Sequence, residues 1–244
     1  MKIALAAVGF ITKNIFYNIE KIEEVVKIYS NKVDLILFGE SFLQGFDCLS
    51  WDFSKDMNIA IEQDSDLING IKAICQKYKV SISLGYIEKN KKKIYSSQIT
   101  LDSNGNILNN FRRISTGWKE PSADFHYIEG KEFGQFEYLG KTISIGLCGD
   151  LWHEENCCAM KKLNSDLVFW PVYTDFNYKE WNEKIKYEYA EQAEKCGNNV
   201  LYVNSYCIDG SGDEIARGGA ALFANGNIIT ETPSGEEAVL IVEV

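Results

Sequence analysis

Lys141-Thr142-Ile143-Ser144-Ile145-Gly146-Leu147-Cys148-Gly149-Asp150-Leu151-Trp152 is the stretch whose reading decides the fold. Its first half alternates β-branched and small residues, which suits a strand. Gly146 and Gly149 flank Leu147 and Cys148. Without a Cβ at those positions the chain can turn sharply and a ligand can approach the backbone. Residues 154–163 then carry a helical pattern. The stretch predicts strand, tight turn, helix, with Cys148 lifted out of the sheet beside a helix N-terminus. Such a terminus favours a thiolate and offers N–H groups to an oxyanion, so Cys148 is a candidate nucleophile. The competing reading is a small buried core thiol, the common fate of a free cysteine.

Outward from there, 244 residues are enough for one large α/β domain with its own core. Lys and Arg number 25 against 35 Asp and Glu, a net charge of −10. That balance repels phosphate backbones and anionic bilayers, so neither nucleic acid nor membrane is an expected partner. The apolar run at residues 1–9 is too short to span a bilayer and lacks the features of a signal peptide; it predicts a first strand. Seven cysteines with no Cys-x-x-Cys pair suit neither a zinc site nor a disulfide framework, and a reducing cytoplasm is expected.

In chain order, strands are predicted at 2–8, 33–38 and 80–86, and helices at 15–29, capped by Asn14, and at 67–78. Residues 89–93 read as a basic hairpin tip. Residues 95–101 and 107–111 form a hairpin around Asn104-Gly105, a type I′ signal. Residues 115–133 are irregular. Strands at 136–138 and 142–147 lead into Cys148. A strand at 167–170 is expected to stop at Pro171, followed by a long helix over 178–196 closed by Gly197. A strand at 200–204, a flexible Gly-rich loop over 207–219, a second Asn-Gly hairpin at 225–226 and a closing strand at 239–244 complete the chain. No linker divides it, so residues 1–244 are expected to form one domain. Each half holds strands, helices and an Asn-Gly hairpin. Two mixed sheets packed face to face with helices outside satisfy that echo, whereas a single doubly wound sheet leaves the hairpins without a role.

Several side chains could carry chemistry. Glu40 follows a buried strand at its C-terminal end, where α/β folds place their sites, and partial burial would make it a usable general base. Arg112 and Arg113 are adjacent on a strand, so only one can face a site formed with Cys148. Trp118, Lys119 and Glu120 form a charged aromatic cluster consistent with a pocket wall. His126 and His153 are the only histidines. His153 is expected to project away from Cys148, so a Cys–His dyad is disfavoured. Gly210-Ser211-Gly212 lacks the context of a phosphate loop.

Three islands in this order resemble the carbon–nitrogen hydrolase (nitrilase) superfamily, in its amidase/carbamoylase-like branch. They are Leu35-Ile36-Leu37-Phe38-Gly39-Glu40 with Gly45-Phe46 behind it, Phe111-Arg112-Arg113, and Ile145-Gly146-Leu147-Cys148-Gly149-Asp150. Asp166 to Pro171, Val203-Asn204-Ser205 and Arg217-Gly218-Gly219-Ala220 support them. The resemblance implies an αββα sandwich, dimers of it, and a Glu–Lys–Cys triad with a second Glu. Carried over, Cys148 is the nucleophile, Glu40 the general base and Glu120 the second Glu. The Lys position holds Arg113, so the family triad is not intact; Arg112 is the structural Arg, and Lys119 is an alternative source of positive charge. Arg supplies the charge but keeps its proton.

The resemblance implies hydrolysis of a small non-peptide carboxamide or N-carbamoyl compound through a thioester, with no metal or organic cofactor, by a homodimer or higher homo-oligomer. Cys-Gly-Asp at 148–150 points to amidases rather than nitrilases. The Gly149 N–H is expected at the oxyanion, and Phe42, Trp118, Phe125, Trp152 and Tyr173 around the substrate. A non-catalytic binding subunit and an acyltransferase of the same fold are the alternatives.

Overall fold

The computed structural model describes residues 1–212 and 214–244; the expected flexible loop over 207–219 therefore falls partly on residue 213, outside the described residues. In chain order the strands are β1 (Lys2–Ala7), β2 (Gly9–Phe10), β3 (Leu35–Phe38), β4 (Ser81–Asn90), β5 (Lys93–Leu101), β6 (Ile107–Arg112), β7 (Gln135–Tyr138), β8 (Lys141–Ile145), β9 (Leu167–Val172), β10 (Asn199–Asn204), β11 (Tyr206–Cys207), β12 (Ala220–Ala224), β13 (Asn227–Thr232) and β14 (Ala238–Glu243). The helices are α1 (Ile15–Tyr29), α2 (Phe53–Asp56), α3 (Asp66–Tyr78), α4 (Glu154–Leu163), α5 (Tyr178–Glu180) and α6 (Lys186–Glu194). None of the described helices is long and apolar enough to cross a membrane.

Period-two alternation along the strands feeds different cores. Ile3, Leu5, Leu35 and Leu37 pack with Phe169, Leu201 and Val203, which is the interior between two sheets. Ala4, Ala6, Ile36 and Phe38 face the other way, against Ile22 and Val26 of α1 and Ile68 and Ile71 of α3. On the far side Val168, Trp170 and Tyr202 meet Met160 of α4 and Tyr189, Ala190 and Ala193 of α6. Helix, sheet, sheet, helix is the resulting αββα sandwich.

The sheets share one plan. The first runs β14-β1-β3-β4-β5-β6 and the second β13-β12-β10-β9-β8-β7. Starting from β14 and from β7, both read antiparallel, parallel, parallel, antiparallel, antiparallel. This is the internal echo seen in the sequence. The chain ends meet beside it, where the Met1 ammonium donates to the Val244 carbonyl at 2.7 Å.

Most expected elements are present, including α1 with Asn14 accepting the Tyr17 N–H at 3.2 Å. Three expectations change. β9 continues through Pro171 to Val172. Its neighbour β8 ends opposite Phe169, so the missing N–H of Pro171 interrupts no ladder there, while β10 still pairs alongside. The first Asn-Gly hairpin is not type I′: only Gly105 is left-handed (φ +79°), and Asp102 accepts from the N–H groups of Asn104 and Asn106. The second hairpin does show positive φ at both Asn225 and Gly226. The long helix over 178–196 is divided by a π turn at Trp181–Ile185 into α5 and α6.

Candidate active site

The C-terminal ends of β3, β6, β8 and β9 converge at one end of the sandwich. Two residues beyond β3, Glu40 donates its backbone N–H to the Val172 carbonyl at 3.2 Å, tying the first sheet to the second. A Cβ on Gly85 of β4 would lie 2.4 Å from both the Gly39 carbonyl oxygen and the Ser41 nitrogen. Glycine is therefore the residue that lets the Glu40 turn lie across β4.

Glu40 is fully buried. Its Oε1 accepts from Arg113 Nη1 at 2.9 Å and from Ser96 Oγ at 3.0 Å. Its Oε2 is buried without a hydrogen-bond partner among the described residues. Arg113, 3% exposed, also donates from Nε to Ser115 Oγ at 2.9 Å, and its backbone N–H donates to the Ser96 carbonyl. Burial opposes its charge, but Glu40, then Cys148 and Asp150, outweigh burial and raise its pKa. Gly149 makes room for it: a Cβ there would stand 2.6 Å from Arg113 Nη2.

Cys148 opens a 3₁₀ turn, Cys148–Trp152, that precedes α4. The left-handed residue of the turn is Cys148 itself (φ +43°); Gly146 and Gly149 are not left-handed, contrary to the expectation that they supply the bend. A non-glycine residue in this region stores strain, and here it sits at the candidate nucleophile. The turn is locked by buried Asp150, whose carboxylate accepts from the N–H groups of Ile114 (3.0 Å), Ser115 (2.6 Å) and Leu147 (3.0 Å). The Cys148 carbonyl accepts from Trp170 Nε1 at 2.9 Å and its thiol donates to the Tyr173 carbonyl at 3.5 Å. Burial, and next the adjacent Glu40, push the thiol up to about 12, against the pull of Arg113. The thiolate expected from a neighbouring helix N-terminus is thus not the resting form: α4 starts six residues later, and burial with Glu40 keeps the proton on sulfur.

The arrangement brings Glu40, Arg113, Cys148 and Gly149 together. Arg112 turns to the opposite face, where Nε donates to buried Glu88 at 2.9 Å and the guanidinium covers the Tyr95 ring. Lys119 is not at the thiol. It is paired with Glu129 and donates to the Tyr127 carbonyl at 3.2 Å. Glu120 is exposed at the rim of a cavity of about 160 Å³ whose wall includes Trp118. Tyr173 contributes its carbonyl to the thiol, and its ring stacks on Phe46 at 4.7 Å. Trp152 is 43% exposed and packs edge-on against Tyr189 on the outer side of the turn. Phe42 belongs to the core beneath α1, and Phe125 is exposed beneath Lys93, so neither joins the pocket expected of them. His153 is exposed, and His126 stacks on Phe53.

Ser96, Ser115 and Asp150 escaped the sequence reading as members of the site. The available signal was the run of small and polar residues Ser96-Ser97-Gln98 in the middle of a strand; the structure buries all three.

The family model described as carbon–nitrogen hydrolase matches residues 2–244. A citrullinase from Francisella tularensis subsp. tularensis is 20% identical over 88% of this chain and 84% of that protein. An N-carbamoylputrescine amidase from Oryza sativa subsp. japonica is 22% identical over 96% of this chain and 80% of that protein. Among solved structures, an amidase from Nesterenkonia sp. superimposes with a TM-score of 0.80 at 15% identity, covering 100% of this chain and 90% of that one.

Proposed function

This chain belongs to the carbon–nitrogen hydrolase family, and from that premise we propose that it hydrolyses a small non-peptide carboxamide or N-carbamoyl compound through a Cys148 thioester. One observation carries the reading. Glu40 is held through Oε1 by two donors while buried Oε2, without a partner among the described residues, is left beside a neutral thiol. That is the geometry of a general base waiting for a proton.

In this mechanism Glu40 takes the Cys148 proton as sulfur attacks the carbonyl carbon. The C=O electron pair moves onto oxygen, and Arg113 Nη2 and the Gly149 N–H stabilise the oxyanion. Gly149 is the second residue of the 3₁₀ turn, where N–H groups have no intrahelical partner. Collapse breaks the C–N bond, and Glu40 returns the proton to the departing ammonia or amine. A water molecule, deprotonated by Glu40, then attacks the thioester; the acid leaves and the thiol is restored. Arg113 keeps its proton throughout and acts as a fixed charge. Glu120, at the cavity rim, positions substrate.

The test is ammonia release from a panel of small amides. The native protein is expected to release ammonia, and Cys148→Ala and Glu40→Gln to abolish it. Arg113→Ala is expected to lower kcat/KM by ~100-fold or more, the usual scale for one oxyanion donor. Turnover unaffected by Cys148→Ala would sink the proposal.

A homodimer belongs to the same reading. The exposed rings of Trp152, Phe176, Tyr178 and Tyr187 support it, since apolar surface of this kind favours association. Light scattering of the native protein decides between dimer and monomer.

A further inference from the structure

The cavity of about 160 Å³ is lined by Phe46, Asp47, Trp51, Gly117, Trp118 and Glu120, among others. Two contacts attach it to the candidate triad. A Cβ on Gly117 would lie 3.4 Å from Arg113 Nη2. Tyr173, whose carbonyl accepts from the Cys148 thiol, stacks on Phe46 and donates its hydroxyl to Asp47 Oδ2 at 3.0 Å. The cavity thus borders Arg113 and Tyr173, two neighbours of Cys148.

Its size and charge are both restrictive. At about 160 Å³ the cavity is small, which suits a short chain. Its walls are aromatic. Its one cation, Lys119, is already neutralised by Glu129. Among the described residues neither Asp47 nor Glu120 forms an ion pair, and both are exposed at the rim. Aromatic faces with unpaired carboxylates attract a cation and reject an anion.

We infer that the substrate's acyl chain is short and ends in an ammonium group received by Asp47, with Glu120 alongside. The inference rests on the amidase reading and adds the substrate class and a specificity-determining residue.

Three amides of matched length test it: butanamide, 4-aminobutanamide and the carboxylate-bearing succinamic acid. Ammonia release is measured for each with the native protein and Asp47→Asn. Asparagine keeps an oxygen for the Tyr173 hydroxyl and removes the charge. In parallel, each amide is used to protect Cys148 from iodoacetamide, read by mass spectrometry against exposed Cys158 in the same chain. The ammonium amide is expected to be preferred in both kcat/KM and protection. Asp47→Asn is expected to reduce kcat/KM for it ~5-fold more than for butanamide, the scale of an exposed ion pair. Turnover without that preference, or a preference for the carboxylate, overturns the inference and leaves the hydrolase standing. Selective protection by the ammonium amide without turnover supports the cation site and defeats the hydrolase reading. Neither turnover nor protection defeats both.

Discussion

Arg113 stands where related sequences are expected to carry lysine, and its surroundings fit a guanidinium. Nη1 reaches Glu40, Nε reaches Ser115, and Nη2 occupies space left by the missing Cβ of Gly149. A lysine has one donor group to divide among these positions. Arg113→Lys is therefore expected to lose at least ~10-fold in kcat/KM, as positioned donors in an active site do. Gly149→Ala is expected to be damaging in the native protein and much less so in the Arg113→Lys background, because the clash at 2.6 Å is with Nη2. Additive losses in that double-mutant cycle would show the two positions to be independent. Cys148 makes a second prediction. Its folded pKa is raised, so the thiol stays protonated near neutrality and ionises only as pH climbs toward about 12. Alkylation by iodoacetamide is expected to keep rising above pH 9. In Glu40→Gln one upward influence is gone: the rise moves to lower pH while the rate near pH 7, which needs the base, falls. A plateau near pH 7 in both proteins would mean a preformed thiolate. The charges of Glu40 and Arg113 were legible as residue types at strand ends. That Arg113 and Ser96 would both donate to one oxygen of Glu40 was not, because they lie 73 and 56 residues from it in the chain.

At the scale of elements, the site depends on how turns stack over strands. The Glu40 turn lies directly on β4, and Gly85 is the contact point. Gly85→Ala places a methyl against backbone atoms that cannot rotate away. It is expected to cost about 1–3 kcal/mol of stability, as overpacking does. It is also expected to reduce kcat/KM more than the fall in folded fraction explains, since the displaced residue is the proposed base. Urea unfolding and kinetics on one preparation check both parts. Strand and helix periodicity located nearly every element, and Asn14 marked the start of α1. The errors share a cause. Whether Pro171 ends a strand depends on where the neighbouring strand β8 stops, and whether Asn-Gly forms a type I′ turn depends on what Asp102 does with its carboxylate. Local sequence records neither neighbour.

At the scale of the molecule, two six-stranded sheets of equal plan meet across a shared apolar interior. β14 completes the first sheet by pairing along the whole of β1, from Lys2↔Glu243 to Ala7↔Ala238, and sends Val242 into that interior. Removing residues 233–244 uncovers the β1 edge and a face of the central core. A protein so shortened is expected to lose its cooperative thermal transition, although every residue singled out for catalysis remains in it. Calorimetry reads the outcome, and a transition within a few degrees of the native one would show β14 to be dispensable. The edge matters because an unpaired strand leaves a row of backbone donors and acceptors unsatisfied.

The sequence by itself determined the two-sheet layering and the order of the elements, and it marked Glu40 and Cys148 as groups to bring together with either Arg113 or Lys119. Alternation and strand-end position are local properties, and burial follows from them. The tertiary structure alone decided that Arg113 rather than Lys119 pairs with Glu40 beside Cys148, that burial holds Cys148 as a neutral thiol, and that the adjoining cavity is small and acidic. Those outcomes are set by desolvation and by distances between residues far apart in the chain, which have no expression until the two sheets close on each other.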